Sequence, residues 1–335
     1  QFDRCTQARR PAGSVFKPFV YIAALEPVPG GPRITLGSML DDGPLEVTTS
    51  SGVWRPANYD KKFHGQVRAR DALEQSLNVA TARLAQHVGI PRVVDVAERL
   101  GIESSLPRVP SLAIGSADLS PLELARAYAT IANGGIRPQI RTFEDVVDGS
   151  GEAVERQSIG FERVLDAGTA YLATSLLEGV IDRGTGRGVR ARGIRGPIAG
   201  KTGTSDEERD AWFVGFSPEL VVVVWIGFDE PRSLGLPSSR VALPVWTRFV
   251  RDATGGQLRG TFVPPSEVVE VDIDPVSGAL ALAGCPRRVP EYFLRGTEPV
   301  MTCPEWASRG RDPRRPGERG PTFLERLFEE WLNRL

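Results

Sequence analysis

Three strand-length runs follow one another close to residue 200, and their spacing fixes most of the topology around them. Pro197 to Thr204 is the first, Ala211 to Phe216 the second and Leu220 to Phe228 the third. The third is reached through the tight turn Ser217-Pro218-Glu219. Connections this short join antiparallel neighbours, because a parallel partner needs a crossover of about a dozen residues or more. Val221-Val222-Val223-Val224-Trp225 is apolar at every position. A strand turns alternate side chains to opposite faces, so this run predicts a strand covered on both sides.

Helical patterns surround this group instead of alternating with it. Ser14 to Leu25 reads as a short helix stopped by Pro27, and residues 91–100 as another. Asp71 to Gln75 and Val79 to Val88 read as two helical pieces interrupted at Ser76-Leu77-Asn78. Ser120-Pro121-Leu122-Glu123 has a capping serine, a first-turn proline and the glutamate of a capping box, and starts a helix that runs to Asn133. Asp166 to Val180 carries Ala170, Ala173, Leu177 and Val180 along one face. A last helix spans about Leu243 to Ala253. Strands grouped apart from helices indicate an α+β fold, an antiparallel sheet flanked by helices. Residues 27–65 read as a long ordered loop and residues 139–157 as a β-hairpin turning at Asp148-Gly149-Ser150-Gly151.

The character changes after about residue 257. Pro, Arg and Gly dominate residues 258–320, with one strand-like run at Val268 to Ile273, and Phe323 to Leu335 reads as a short amphipathic helix. The expected division is therefore a domain over 1–256 and a Pro/Arg-rich C-terminal extension over 257–335, for which the sequence suggests no role. Cys285 and Cys303 lie in that extension, and a disulfide or two buried thiols fit them equally. The net charge of −1 gives no global field for nucleic acid or an anionic membrane. No cofactor motif and no zinc spacing is present, and His64 and His87 lie far from any cysteine pair.

Of 41 Lys and Arg residues only four are lysines: Lys17, Lys61, Lys62 and Lys201. In a chain that writes arginine so freely, a retained lysine points to something a permanently charged guanidinium does not do, such as giving up a proton. Lys61 and Lys62, beside Asp60, read as solvated. Lys17 stands three residues after Ser14, so the two side chains share a face at a helix start. A serine is a poor nucleophile until a base takes its proton, and a buried lysine near other cations has its pKa lowered enough to serve. Ser76 and Asn78 interrupt a helix with a hydroxyl for proton relay and an amide for a substrate carbonyl or a lysine. Lys201-Thr202-Gly203-Thr204 lies on an edge strand, where Lys201 and the threonine hydroxyls suit a carboxylate and Gly203 admits close backbone approach. The N–H groups of Ser14 and Thr204 would form an oxyanion hole.

Ser-x-x-Lys, Ser-x-Asn and Lys-Thr-Gly in this order closely match the motif set of β-lactamases and penicillin-binding proteins. The chain resembles the transpeptidase domain of class A (bifunctional) penicillin-binding proteins. Further matching stretches are Pro11 to Tyr21, Trp54 to Tyr59, Ser111 to Asp118, Ala125 to Gly135, Arg183 to Gly186 and Asp210 to Gly215, so that roughly residues 1–250 are covered. The resemblance implies a β-lactamase/transpeptidase-like fold. It makes Ser14 the acylated nucleophile and Lys17 its base. Ser76 and Asn78 become relay and donor-peptide ligands, and Lys201, Thr202 and Thr204 the carboxylate grip. The implied reaction is attack on D-Ala-D-Ala of a peptidoglycan stem peptide and transfer to a neighbouring amine, with β-lactams acylating the same serine. It also implies an extracytoplasmic location, a place in a cell-wall synthesis complex, and membrane attachment only through an N-terminal anchor.

Two departures stand out. An anchor and a glycosyltransferase domain precede this region in the family, and only thirteen residues precede Ser14 here, too few for the two sheet strands the family places ahead of the nucleophile. The apolar third strand is then expected to present an open edge. Trp54, Asn58, Tyr59, Thr185 and Gly186 are further candidates for contact with substrate; an aromatic loop packed on the domain explains the first three at least as well, and a helix end at Gly184 and Gly186 explains the last two equally. No Gly-x-Ser-x-Gly elbow supports a Ser-His mechanism. A serine β-lactamase shares the motifs but needs a base for deacylating water, and Glu103 and Glu123 lie in no motif that supplies one. A β-lactam sensor or silent binding module is the third reading, against which the intact Ser14, Lys17 and Lys201 argue.

Overall fold

The computed structural model describes residues 2–27, 33–50, 52–156 and 160–303. The expected helix at Phe323 to Leu335 lies outside the described residues. The helices are α1 (Lys17–Leu25), α2 (Ala69–Glu74), α3 (Asn78–Val88), α4 (Ile90–Leu100), α5 (Pro121–Ala132), α6 (Ala167–Asp182), α7 (Gly188–Ala191) and α8 (Ala242–Thr254). The capping box forms as read: Ser120 Oγ accepts from Glu123 N–H, and the Glu123 carboxylate accepts from Ser120 N–H at 2.8 Å.

The three runs near residue 200 become strands β1 (Ala199–Thr204), β2 (Ala211–Phe216) and β3 (Val221–Ile226), antiparallel and adjacent in that order. Lys201 pairs with Val214, and Trp212 with Trp225. The alternation sorts two cores. Trp212, Val214 and Phe216, with Val221, Val223 and Trp225 beside them, face the larger core built on α1 and α3 to α6. Phe213, with Val222 and Val224, faces a second core closed by Trp246 and Val250 of α8. Both faces of β3 are covered as expected, yet each of its residues stays half-buried because no described strand pairs with its outer edge. The N-terminal segment reaches only its far end, where Arg10 donates to Phe228 O and Asp229 O and lies over the Trp225 ring.

Residues 27–65 are not one loop. Met39–Asp42 pairs with Gly65–Arg68, and Val47–Thr49 with Gly52–Trp54. Strands this short, carrying Asp41 and Asp42, show no apolar alternation to read. The expected hairpin is present as Asp145–Val147 against Ala153–Arg156. Past α8, β4 (Val268–Ile273) and β5 (Val289–Leu294) form an antiparallel pair that packs on α6, with Tyr292 edge-on to Tyr171. Cys285 and Cys303 are joined as a disulfide around β5. No helix among the described residues is long and apolar enough to cross a membrane.

Candidate active site

Ser14 lies in a 3-10 turn, Gly13–Val15, that leads into α1, and Lys17 is the first residue of that helix. The turn is held from several sides. Ala12 N–H and Gly13 N–H donate to Ala117 O and Gly115 O, each at 2.9 Å. Trp212 Nε1 of β2 donates to Pro11 O, and the Tyr128 hydroxyl of α5 to Val15 O. Gly13 has φ +55°, and a Cβ there would meet Thr204 O at 2.6 Å. A Cβ on Gly203 would meet Ala12 O at 2.9 Å, so the approach that Gly203 permits is to the Ser14 turn itself. Backbone-to-backbone packing thus sets β1 against Ser14.

Ser76 occupies the turn between α2 and α3 with φ +57°. Ser76 N–H donates to Leu73 O and Leu77 N–H to Ala72 O, the Schellman closure of a helix C-terminus. Glycine is the usual residue at this left-handed position; a serine there accepts some backbone strain and gains a hydroxyl. That hydroxyl lies between the two lysines. Lys201 Nζ is 2.8 Å from Ser76 Oγ and Lys17 Nζ is 3.2 Å from it. Lys17 Nζ also donates to Ser76 O at 2.5 Å and Asn78 Oδ1 at 2.7 Å, and Lys201 Nζ to Thr202 O at 3.1 Å. Both lysines are fully buried. Burial, then the charge of Lys201, holds the Lys17 pKa well below its ordinary value, with Asp42 opposing. Burial alone brings Lys201 down to about 7. A lysine placed like Lys201 exchanges its proton near neutral pH, which an arginine does not.

The structure brings Ser76, Asn78, Lys17 and Lys201 into one hydrogen-bonded group, with Ser14 on the turn that enters α1. No hydrogen bond joins Ser14 Oγ to Lys17 Nζ among the described residues. Thr202 and Thr185 share a hydroxyl hydrogen bond of 2.8 Å, which puts Thr185 against the Lys-Thr-Gly strand. Trp54 pairs with Val47 in its hairpin, and no described contact ties it to the lysines.

Asp42, Ser238 and Glu208 carried no signal in the sequence, and Asn58 and Tyr59 carried one for substrate contact, not for capping. Asn58 is buried: its Oδ1 accepts from the N–H groups of Asn78 and Val79, and its Nδ2 donates to Asp42 Oδ2. Asp42 Oδ1 accepts from Ala80 N–H. Together they satisfy the first N–H groups of α3, which lacks a side-chain cap of its own. Ser238 bonds the Thr204 hydroxyl through both its N–H and Oγ. Tyr59 reaches from the loop beside Asn58 to Glu208, past the end of β1. The motif Asn58-Tyr59 was visible, but its part in capping depends on a helix far along the chain.

With this geometry in view, residues 2–240 match the family described as penicillin binding protein transpeptidase domain. The chain belongs to that family. Residues 264–308 of this penicillin-binding protein match a second family, penicillin-binding protein 1A, C-terminal domain. It is 38% identical to penicillin-binding protein 1A of Aquifex aeolicus over 307 residues, covering 90% of this chain and 41% of that protein. It is 34% identical to that of Pseudomonas aeruginosa, covering 89% of this chain and 42% of that protein. The chain thus spans about two-fifths of these curated relatives. The crystal structure of penicillin-binding protein 1A from Haemophilus influenzae superposes with a TM-score of 0.82 at 30% identity, over 90% of this chain and 50% of that one. The PonA1 protein of Mycobacterium tuberculosis, solved in complex with penicillin V, gives 0.68 at 28% identity, over 80% of this chain and 75% of that one.

Proposed function

We propose that this penicillin-binding domain is an acyl-serine DD-transpeptidase. The observation that carries the reading is the Ser76 hydroxyl held between two buried lysines beside the Ser14 turn. Neutral Lys17 takes the Ser14 proton as Oγ attacks the carbonyl carbon of the penultimate D-alanine. The N–H groups of Ser14 and Thr204 meet the oxyanion. The peptide C–N bond then breaks, and the proton on Lys17 passes through the Ser76 hydroxyl to the departing amine of D-alanine. An amine from a neighbouring stem peptide attacks the resulting ester, its proton returns by the same route to Ser14 Oγ, and the cross-link is released. Asn78 and Thr185 align the donor peptide. Protonated Lys201, with Thr202 and Thr204, holds the terminal carboxylate. A β-lactam follows the first half of this path and stays as an ester.

Peptidoglycan stem peptides and β-lactams are the partners in this reading, in an extracytoplasmic compartment and within a cell-wall synthesis complex. The Cys285–Cys303 disulfide supports an oxidising compartment. The β-lactamase alternative is less well supported. The Glu123 carboxylate is occupied by Ser104 and by its own helix cap, and Glu103 is paired with Arg126. Fluorescent penicillin followed by intact mass tests the proposal. A long-lived adduct that is absent from Ser14→Ala and Lys17→Arg is expected. Rapid turnover would favour a β-lactamase, and a folded sample with no adduct would overturn the enzyme readings.

A further inference from the structure

The C-terminal module reaches the helix that presents Ser76. Glu291 of β5 is fully buried and forms a two-pronged pair with Arg70 of α2, Nε to Oε2 at 2.7 Å and Nη2 to Oε1 at 2.6 Å. The remaining Arg70 donors go to Ser175 of α6, at O and Oγ, and to Glu74 at 3.4 Å. Glu74, also buried, is gripped by Arg183, and its backbone carbonyl accepts from Thr185 N–H. Thr185 in turn bonds Thr202. Two residues after Glu74 the chain turns at Ser76. One helix of six residues therefore connects a carboxylate of the C-terminal module to Ser76 and, through Thr185, to the Lys-Thr-Gly strand.

We infer that Glu291 is a positioning residue for acylation. Through Arg70 it fixes α2, and hence the Ser76 hydroxyl between the lysines and Thr185 against the Lys-Thr-Gly strand. The C-terminal module then completes the active site instead of merely following it. The inference rests on the transpeptidase reading. A planar guanidinium matched to a carboxylate at two points sets direction as well as distance. Without Glu291, buried Arg70 would turn to Glu74 for its counter-charge and compete with Arg183 for it. A displacement of about 1 Å at reacting groups is enough to slow chemistry by about a hundredfold.

The test uses the full chain and a fluorescent penicillin, with stopped-flow separation of initial binding from acylation. In Glu291→Gln the acylation rate constant at saturation should fall about tenfold or more, while the initial dissociation constant changes by less than about twofold. The paired variant Arg70→Met with Glu291→Met removes both buried charges together and should recover much of the thermal stability. Its acylation should stay slow. Wild-type acylation in Glu291→Gln, or recovery of rate along with stability in the apolar pair, would overturn the inference. If Glu291→Gln does not fold, the apolar pair decides, and Glu291→Asp, which keeps the charge but shortens its reach, should be intermediate in rate; a wild-type rate in Glu291→Asp with neither other variant folded would also overturn it. Absence of acylation in the wild type would instead remove the transpeptidase reading, and this inference with it.

Discussion

Lys201 ties the site to the stability of the fold. Burial lowers its pKa from the ordinary 10.5 to about 7, so between those values the unfolded chain holds a proton that the folded chain has released. Stability should therefore rise with pH across that window, by the linkage between proton uptake and unfolding. Glu178 acts in the opposite sense. Burial, with Asp182 adding to it, raises its pKa from 4.5 to about 7, so its contribution is complete below 4.5 and fades as pH rises through 7. Urea unfolding of Lys201→Met should show a shallower rise on the alkaline side of pH 7 than the wild type. An unchanged slope would mean that Lys201 is not titrating there. The catalytic candidates were legible because residue type and local spacing carried them: a serine and a lysine on one helix turn, and lysines kept where arginine is the habit. Glu291 carried no such signal, since the arginine it meets lies 221 residues away.

At the level of elements, α3 shows how a helix can begin without a local cap. Asn58 and Asp42 accept from its first N–H groups across 20 and 38 residues of sequence. Asn78, the lysine ligand, is the first residue of that helix. Asn58→Ala should thus weaken the fold and the site together. It removes two acceptor contacts at a buried helix end and one of the donors on Asp42, a loss of about 2 kcal/mol in chemical denaturation. Penicillin acylation should also slow; a variant destabilised by this amount that still acylates at the wild-type rate would separate the cap from the chemistry. The sheet and most helices were legible because apolar period and capping signals agree along those segments. The small pairs within residues 27–65 were not, because Asp42 sits in a strand for the sake of a distant helix.

At the scale of the molecule, no described strand pairs with the outer edge of the apolar strand β3. Such edges recruit other strands. Light scattering of the 335-residue chain over about a tenfold concentration range should reveal self-association, and a monodisperse monomer throughout would contradict this. The features that make the site chemically able also weigh against the fold: two lysines stripped of water and a serine in the left-handed region at Ser76. A library of this protein selected for heat resistance alone would accordingly favour Ser76→Gly, which relaxes that backbone, and would discard the hydroxyl held between the lysines in doing so. Survival at temperature and the proposed acylation chemistry would have to be selected together, because at this position they reward different residues.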